Sequence, residues 1–371
     1  MTDPLLATPS GRPRARALPV PFDGTPGPLN AITDVPGVEV GYCTLVRGEG
    51  PLVVGRGPVR TGVTAILPRG QAGLGLPVFA GSHALNGNGE LTGTLWIEES
   101  GQCEGPVTIT NTHACGVARD ATARWLVERH PEAIGDWGLP VAGETYDGEL
   151  NDINGFHVTA EHVFEALESA RGGPLELGSV GGGTGMICYD FKGGSGSASR
   201  AVPIDGESYL LGAFVQANFG RRRELTVAGV PVGRHLPGGE LRSKPAGSII
   251  AVIATDAPLL PHQLKRLARR VGLGIARSGG TAHNGSGDIF LAVSTANPAA
   301  WGTGGGPQSA AFLANDRLDP LFEAVVQATD EAVIDAMVAN ETMVGRDGNT
   351  ALALPHDRLR DLLARYGRGA E

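Results

Sequence analysis

The residue with the clearest capacity for chemistry is a serine, Ser248, which follows a glycine and opens an apolar run over residues 249–254. In the preceding Lys244-Pro245-Ala246-Gly247, the proline favours extended geometry at the residue before it, and the glycine leaves its carbonyl open to close approach. The hydroxyl could attack the carbonyl of Gly247, and cleavage would leave Ser248 as a new N-terminus with a free α-amine. Taken alone, this stretch is better explained as an ordinary turn before a core strand than as a cleavage site.

A hydroxyl and a carboxylate precede a second apolar run, at Ser286 and Asp288 ahead of residues 289–295. If this segment is extended, residues two apart project from the same side. The pair could then orient a nucleophile or accept its proton. The alternative is a polar loop that leads into a strand. Adjacency of this strand to the one that Ser248 opens would favour the catalytic interpretation.

Two further polar residues, Glu144 and Tyr146, stand two apart in a segment with strand character. On a shared face, the carboxylate could hold a cationic amine and the phenol could hydrogen-bond a polarised carbonyl. An ordinary solvated strand face is the alternative. Trp137, a little earlier in the chain, could wall a pocket or pack in the core.

Two features could stabilise an oxyanion. The run Gly181-Gly182-Gly183-Thr184-Gly185 lacks the lysine of a phosphate-binding loop, but its consecutive N–H groups could face a developing negative charge. A tight crossing between layers fits the same glycines, including Gly182 and Gly183. Asn218 ends an apolar strand, where its amide could donate to an oxyanion or close a turn.

The composition of the 371 residues argues against several classes of protein. A net charge of −9 argues against nucleic-acid or anionic-membrane partners, which need basic surfaces. The four cysteines have no metal-ligand spacing, and we find neither an apolar signal core nor a run of transmembrane length. We therefore expect a cytoplasmic protein with no cofactor and no metal.

Hydrophobic patterns place these residues on strands and helices. Strands are predicted at 62–68, 107–112, 140–148, 210–216, 249–254 and 289–295, and helices at 117–128, 159–170, 258–277, 318–340 and 357–365. We find no internal repeat and no linker that divides the chain. One layered α/β domain over residues 1–371 is therefore expected, with residues 1–28 as a poorly ordered arm.

Several motifs together resemble the DmpA-type aminopeptidases, which include the L-aminopeptidase/D-amidase-esterases and the β-peptidyl aminopeptidases. The resemblance runs from about residue 28 almost to the end, and it is specific because many separate motifs occur in the right order. The motifs are Asn30-Ala31-Ile32-Thr33-Asp34-Val35-Pro36-Gly37-Val38, Asn86-Gly87-Asn88-Gly89-Glu90-Leu91-Thr92-Gly93, Asn151-Asp152-Ile153-Asn154-Gly155, Gly181-Gly182-Gly183-Thr184-Gly185-Met186, Phe191-Lys192-Gly193-Gly194, Gly247-Ser248, and Glu341-Thr342-Met343 with Gly345-Arg346-Asp347-Gly348.

The resemblance implies a four-layer αββα sandwich of the DmpA/ornithine-acetyltransferase type, similar to N-terminal-nucleophile hydrolases. It implies autocleavage between Gly247 and Ser248 into an α polypeptide, residues 1–247, and a β polypeptide, residues 248–371. The two would stay associated in a homo-oligomer, commonly a tetramer of heterodimers.

The resemblance also implies roles for individual residues. Ser248 is the nucleophile, Ser286 and Asp288 are its supporting pair, Asn218 lies on the oxyanion side, Tyr146 is an active-site tyrosine, and Glu144 binds the ammonium group of the substrate. Some relatives carry glutamate in place of Asp288. Trp137, Gly182 and Gly183 complete the predicted substrate-binding set.

We therefore expect a self-processing serine aminopeptidase that releases small N-terminal residues from peptides, amides or esters through an acyl-enzyme on Ser248. A free α-amine has an ordinary pKa of about 7.7–8.0, which suits a general base, and the Ser286–Asp288 pair is the alternative base. Two other functions stay open: an acyltransferase of the ornithine-acetyltransferase type, which usually uses threonine, and an unprocessed binding protein. The choice among L-, D- and β-amino acyl groups also stays open.

Overall fold

The computed structural model describes residues 3–241, 247–301 and 306–369. The strands are β1 (Glu39–Arg47), β2 (Val59–Leu67), β3 (Val78–Gly87), β4 (Gln102–Cys103), β5 (Val107–Asn111), β6 (Val141–Thr145), β7 (Ile187–Cys188), β8 (Phe191–Lys192), β9 (Gly194–Ile204), β10 (Glu207–Asn218), β11 (Gly247–Thr255), β12 (Ser286–Ser294), β13 (Met343–Val344) and β14 (Thr350–Ala351). The helices are α1 (Thr94–Ser100), α2 (Cys115–Arg129), α3 (Pro131–Ile134), α4 (Ala160–Glu168), α5 (Val232–His235), α6 (Pro261–Arg277), α7 (Asp319–Val338) and α8 (His356–Arg365).

Two sheets pack face to face, and helices cover both outer faces. The four-stranded sheet runs β1-β2-β5-β6, and the six-stranded sheet runs β4-β3-β12-β11-β10-β9. One apolar core lies between the sheets, a second between the four-stranded sheet and helices α2 and α4, and a third between the six-stranded sheet and helices α6 and α7. This is a four-layer αββα sandwich, so the predicted fold class is confirmed.

Strand β11 shows why these layers form. Alternate residues from Ile249 onward pack toward the helices, and those from Ile250 onward pack toward the other sheet. Successive side chains of a strand point to opposite faces, so an uninterrupted apolar run suits a strand that is covered on both sides. Ser248 precedes this run and lies where the buried part of the strand begins.

Strand β9 has a sequence that does not predict a strand, because it is rich in glycine and serine. Helix α7 packs directly onto it: a Cβ built at Gly196 would lie 1.9 Å from the carbonyl oxygen of Ala332. The hydroxyl of Ser197 donates to the carbonyl of Ala213 in β10 at 2.7 Å and accepts the N–H of Ile32 at 2.8 Å. The small residues of β9 therefore serve close packing rather than local strand propensity.

The N-terminal segment differs from the poorly ordered arm predicted over residues 1–28. At Arg14 and Ala15 it packs against α7: the buried guanidinium of Arg14 donates to the carboxylate of Asp335 at 2.6 Å, and Ala15 is fully buried. A buried charge needs a partner of opposite charge, so this ion pair ties the segment down. The prediction is wrong for these residues, because their partner lies 321 positions away in the chain.

The remaining helices follow the sequence closely. The segments predicted at 258–277, 318–340 and 357–365 are α6, α7 and α8. At the start of α4, the N–H of Thr159 donates to Nδ1 of His162 at 3.1 Å, so a histidine takes the place that Glu or Gln has in a capping box. No helix in the described ranges has the length and apolar character needed to cross a membrane.

Candidate active site

Strand β11 brings the predicted residues together because it lies between β10 and β12. In the antiparallel pair with β10, Ser248 lies opposite Asn218. In the parallel pair with β12, Ser248 lies opposite Gly287, and Gly247 lies opposite Ser286. The strand adjacency on which the catalytic interpretation depended is therefore present.

The predicted groups divide between the two faces of this sheet. Directly opposed residues project from the same face, so the side chains of Ser248 and Asn218 share the face toward the four-stranded sheet. Ser286 and Asp288 project from the helix-covered face, beside the main chain at Gly247. The pair therefore lies across the strand from the Ser248 hydroxyl.

The hydroxyl of Ser248 is directed back along its own chain. It donates to the carbonyl oxygen of Gly247 at 2.7 Å and accepts the N–H of Gly287 at 3.2 Å. Only 5% of the residue is exposed. The oxygen therefore lies next to the carbonyl that it would attack in the predicted self-cleavage.

The glycine before Ser248 is required by the local geometry. Gly247 has φ of +146°, and a Cβ added there would lie 2.2 Å from the carbonyl oxygen of Asn218. A side chain would force β10 and β11 apart at the residues that carry the chemistry. The predicted residues Lys244, Pro245 and Ala246 lie outside the described ranges.

The Asn218 side chain is held at both ends. Its Oδ1 accepts the N–H of Ile187 at 2.8 Å, and its Nδ2 donates to the carbonyl of Tyr146 at 2.7 Å. The residue is fully buried. Both ends of the amide are therefore fixed, and the side chain lies on the face of the sheet that carries the Ser248 hydroxyl.

Ser286 and Asp288 form the pair that period-two spacing predicted. The hydroxyl of Ser286 donates to Oδ1 of Asp288 at 2.7 Å, and both residues are buried. Oδ2 of Asp288 has no hydrogen-bond partner among the described residues. Burial raises the pKa of Asp288, and the hydrogen bond from Ser286 opposes that rise.

A cavity of about 550 Å³ opens in front of Ser248. Its described lining comprises Asn88, Gly89, Glu90, Thr112, Glu144, Tyr146, Gly247, Ser248 and Gly285. Glu144 and Tyr146 thus share one wall, as their spacing predicted. The cavity has room for a small amino acyl group together with the first atoms of its leaving group.

The carboxylate of Glu144 is fixed in the wall of this cavity. Oε1 accepts the backbone N–H of Glu90 at 3.1 Å, and Oε2 accepts the hydroxyl of Thr112. Burial raises the pKa of Glu144, and these two hydrogen bonds partly oppose that rise. An ammonium group bound here would stabilise the ionised form.

Two predicted donors are not placed at the cavity. The N–H of Gly182 donates to Oγ1 of Thr64 at 3.1 Å, and that of Gly183 donates to the carbonyl of Val180 at 3.0 Å. A Cβ at Gly182 would lie 2.1 Å from Oε1 of Gln216. In this structure these glycines make the tight crossing between layers that the sequence left as an alternative.

Trp137 is also absent from the described lining of the cavity. It is 58% exposed, and its ring packs edge-on against Trp96 with centroids 5.9 Å apart. Three residues at the site were not among those predicted from the sequence. Thr112 and the N–H of Glu90 hold the carboxylate of Glu144, and the N–H of Ile187 holds the amide of Asn218. Glu90 lies in a motif that carried the resemblance, whereas Thr112 gives no local signal because its partner is 32 positions away.

The sandwich, with a serine hydroxyl at the head of a central strand, places the protein in the class of proteins with the N-terminal-nucleophile hydrolase fold. The family model of Peptidase family S58 matches residues 30–351. The chain therefore belongs to peptidase family S58 and is a hydrolase of the aminopeptidase type.

Named relatives resemble the chain over nearly its whole length. The beta-peptidyl aminopeptidase BapA of Sphingosinicella microcystinivorans is 53% identical over 96% of this chain and 93% of its own. The solved L-aminopeptidase D-Ala-esterase/amidase of Ochrobactrum anthropi has a TM-score of 0.91 at 50% identity, covering 97% of this chain and all of its own. A Burkholderia beta-aminopeptidase has a TM-score of 0.86 at 47% identity, covering 96% and 99%.

Proposed function

We propose that the chain cleaves itself between Gly247 and Ser248 and then acts as a serine aminopeptidase on small N-terminal residues. The hydrogen bond of 2.7 Å from Ser248 Oγ to the carbonyl of Gly247 is the observation that carries this proposal. Oγ adds to the carbonyl carbon, the C–N bond breaks, and the nitrogen takes the proton to become the α-amine of Ser248. Water then hydrolyses the ester, which leaves a carboxylate on Gly247.

The freed α-amine is the general base in this proposal. Its ordinary pKa of about 7.7–8.0 lets it take the proton of the Ser248 hydroxyl near neutral pH. Support comes from the register, which puts Ser286 and Asp288 beside the main chain and across the strand from the hydroxyl. The unpartnered Oδ2 of Asp288 is then an acceptor for the ammonium form of the amine.

Glu144 binds the substrate's ammonium group, and the substrate carbonyl lies between Ser248 and Asn218. Attack by Oγ forms a tetrahedral oxyanion that accepts from Asn218 Nδ2, with Tyr146 on the same cavity wall. Loss of the leaving amine gives an acyl-enzyme on Ser248, and water releases the N-terminal residue. The names of the relatives, beta-peptidyl aminopeptidase and L-aminopeptidase D-Ala-esterase/amidase, support small α- or β-amino acyl groups as substrates.

After cleavage, residues 1–247 and 248–371 stay together. Support comes from β11, which pairs with β10 of the first polypeptide over eight residues, and from the Arg14–Asp335 ion pair, which also joins the two. We propose a homotetramer of these heterodimers in the cytoplasm, with a peptide, amide or ester as substrate.

Electrophoresis and a substrate panel test the proposal. Wild-type protein should give two bands, with the smaller beginning at Ser248 by N-terminal sequencing, and Ser248→Ala should give one. The p-nitroanilides of L-Ala, D-Ala and β-Ala identify the acyl preference. Activity in an uncut chain would contradict the role of the α-amine, and release of the nitroaniline by Ser248→Ala would exclude Ser248 as nucleophile.

A further inference from the structure

A lysine lies fully buried on the hairpin that contacts Asn218. Lys192 belongs to β8, whose partner β7 pairs Ile187 with it. The Lys192 ammonium donates to three backbone carbonyls: those of Gly193 at 2.6 Å, Met186 at 3.0 Å and Gly183 at 3.4 Å. The described residues include no carboxylate that forms a salt bridge with it; burial lowers the pKa of Lys192 to about 7.

A buried ammonium in such a place needs all of its donors satisfied. A protonated amine has three N–H donors, and the three carbonyls match that number. An apolar side chain of the same volume would occupy the site without the desolvation cost of a charge. What distinguishes the lysine is therefore its ability to hold three main-chain positions in one geometry.

Those positions bracket the residue that orients Asn218. The carbonyls belong to the segment 183–193, and the N–H of Gly193 donates to the carbonyl of Met186, which closes the hairpin. Inside it, the N–H of Ile187 donates to Asn218 Oδ1. This contact holds the oxygen end of the amide at Ile187, and the nitrogen end is directed to the carbonyl of Tyr146, a residue that lines the same cavity as Ser248.

We propose that Lys192 is a positioning residue: it holds the hairpin so that the Ile187 N–H fixes the Asn218 amide with its donor toward the oxyanion. The inference rests on the proposed function, in which Asn218 Nδ2 stabilises that oxyanion. Without the ammonium, the three carbonyls lose their common donor, and the amide is free to present Oδ1, which repels an oxyanion. The loss falls on the transition state, and therefore on kcat rather than KM.

The first test is Lys192→Met, which keeps an unbranched side chain and removes every donor. With wild type and variant both measured on β-alanyl p-nitroanilide, we expect kcat to fall at least about tenfold, but by less than the about 10²–10³-fold loss that follows removal of an oxyanion donor. KM should stay within about twofold. Rates are expressed per molecule of β polypeptide, so that slow self-cleavage is not counted as slow turnover.

The decisive test is a double-mutant cycle with Asn218→Ala. If Lys192 acts through Asn218, adding Lys192→Met to Asn218→Ala lowers kcat by less than about twofold, because the orienting contact no longer has a target. A merely structural role would multiply the two losses, and that result would overturn the inference. If Lys192→Met does not fold, Lys192→Gln, which keeps two N–H donors without a charge, enters the same cycle.

A matched control separates positioning from stability. Arg14→Met removes another buried cation that donates to backbone carbonyls, but it does not contact the hairpin or Asn218. It should lower the thermal midpoint and leave kcat per processed molecule unchanged when the assay is run at a protein concentration that keeps the two polypeptides associated. If wild type is active and Lys192→Met is equally active, the role of Lys192 is contradicted and the proposed function stands. If wild type has no amidase activity, the proposed function itself is contradicted.

Discussion

Asn218 and Ser248 lie directly opposite each other at the end of the antiparallel pair of β10 and β11, and their side chains share one face. The asparagine amide is held by the N–H of Ile187 and the carbonyl of Tyr146. A donor fixed in advance beside the attacking hydroxyl stabilises an oxyanion without reorganisation during the reaction. The register of β10 and β11 therefore places the Asn218 amide beside the attacking hydroxyl, and a shift in that register would slow the reaction.

Asn218→Ala should reduce kcat about 10²–10³-fold with little change in KM, because the lost contact exists only in the transition state. The measurement is steady-state hydrolysis of β-alanyl p-nitroanilide by processed enzyme. Asn315→Ala, at an exposed asparagine, is the control and should behave as wild type. An unchanged kcat in Asn218→Ala would remove Asn218 from the chemistry.

Substrate binding should weaken at acid pH because of Glu144. Burial raises the pKa of this carboxyl, so it takes up a proton at a higher pH than an exposed glutamate. The ammonium of the substrate needs the ionised carboxylate, so KM should rise as pH falls through the raised pKa. In Glu144→Gln, KM should be high and flat over the same range.

Thr112→Val tests the same carboxylate in a graded way. The hydroxyl of Thr112 donates to Glu144 and lowers its pKa, so removing the hydroxyl should raise that pKa further. The rise of KM at acid pH should then begin at a higher pH than in wild type. A shift toward lower pH would contradict the assignment of Glu144 as the ammonium-binding group.

The sequence was informative where signals are local. Long apolar runs predicted the strands that Ser248 and Ser286 open, and period-two spacing predicted that Glu144 and Tyr146 share a face. Both inferences need only a few neighbouring residues, since strand geometry fixes which side chains project together.

Other parts of the site depend on contacts between distant segments. The glycines at 182 and 183 have backbone freedom that suits an oxyanion donor and a tight crossing equally, and only the atoms around them decide between the two. The Arg14–Asp335 ion pair has no sequence signal, because a buried cation resembles a surface one until its surroundings are known. Lys192 lies in a motif that carried the resemblance, but that motif does not indicate that its ammonium is buried.

Gly247→Ala should block self-cleavage. The new Cβ would lie 2.2 Å from the carbonyl oxygen of Asn218, at a φ of +146° that L-residues avoid. Displacement of the reacting atoms by about 1 Å can cost about 10²-fold in rate, so the chain should stay as one band on a gel for far longer than wild type. Gly116→Ala in α2, where a Cβ meets no atom within 4 Å, is the control and should be cleaved normally.

Asp288→Asn should reveal which group is the base. A nearby carboxylate raises the pKa of an amine, so loss of the Asp288 charge should lower the pKa of the Ser248 α-amine. The acid limb of the kcat profile, measured at saturating substrate so that the effect of Glu144 on KM is excluded, should therefore move to lower pH, alongside any loss in rate. If the carboxylate of Asp288 itself were the base, the acid limb would disappear in Asp288→Asn instead. Ser286→Ala keeps the charge of Asp288 and should therefore keep the acid limb.

Arg14→Met should destabilise the protein by about 3–5 kcal/mol, because it leaves the carboxylate of Asp335 buried without its cation. Arg124→Met, which breaks an exposed pair with Glu128, is the control and should hardly move the midpoint of urea unfolding. After cleavage, Arg14 belongs to residues 1–247 and Asp335 to residues 248–371, so the pair joins two polypeptides. Processed Arg14→Met should therefore lose its β polypeptide on dilution sooner than wild type. The double variant with Ser248→Ala stays uncut, so it has no separate β polypeptide to lose. Equal retention of the β polypeptide in both proteins would show that the strand pairing of β10 and β11 holds the two polypeptides together without this pair.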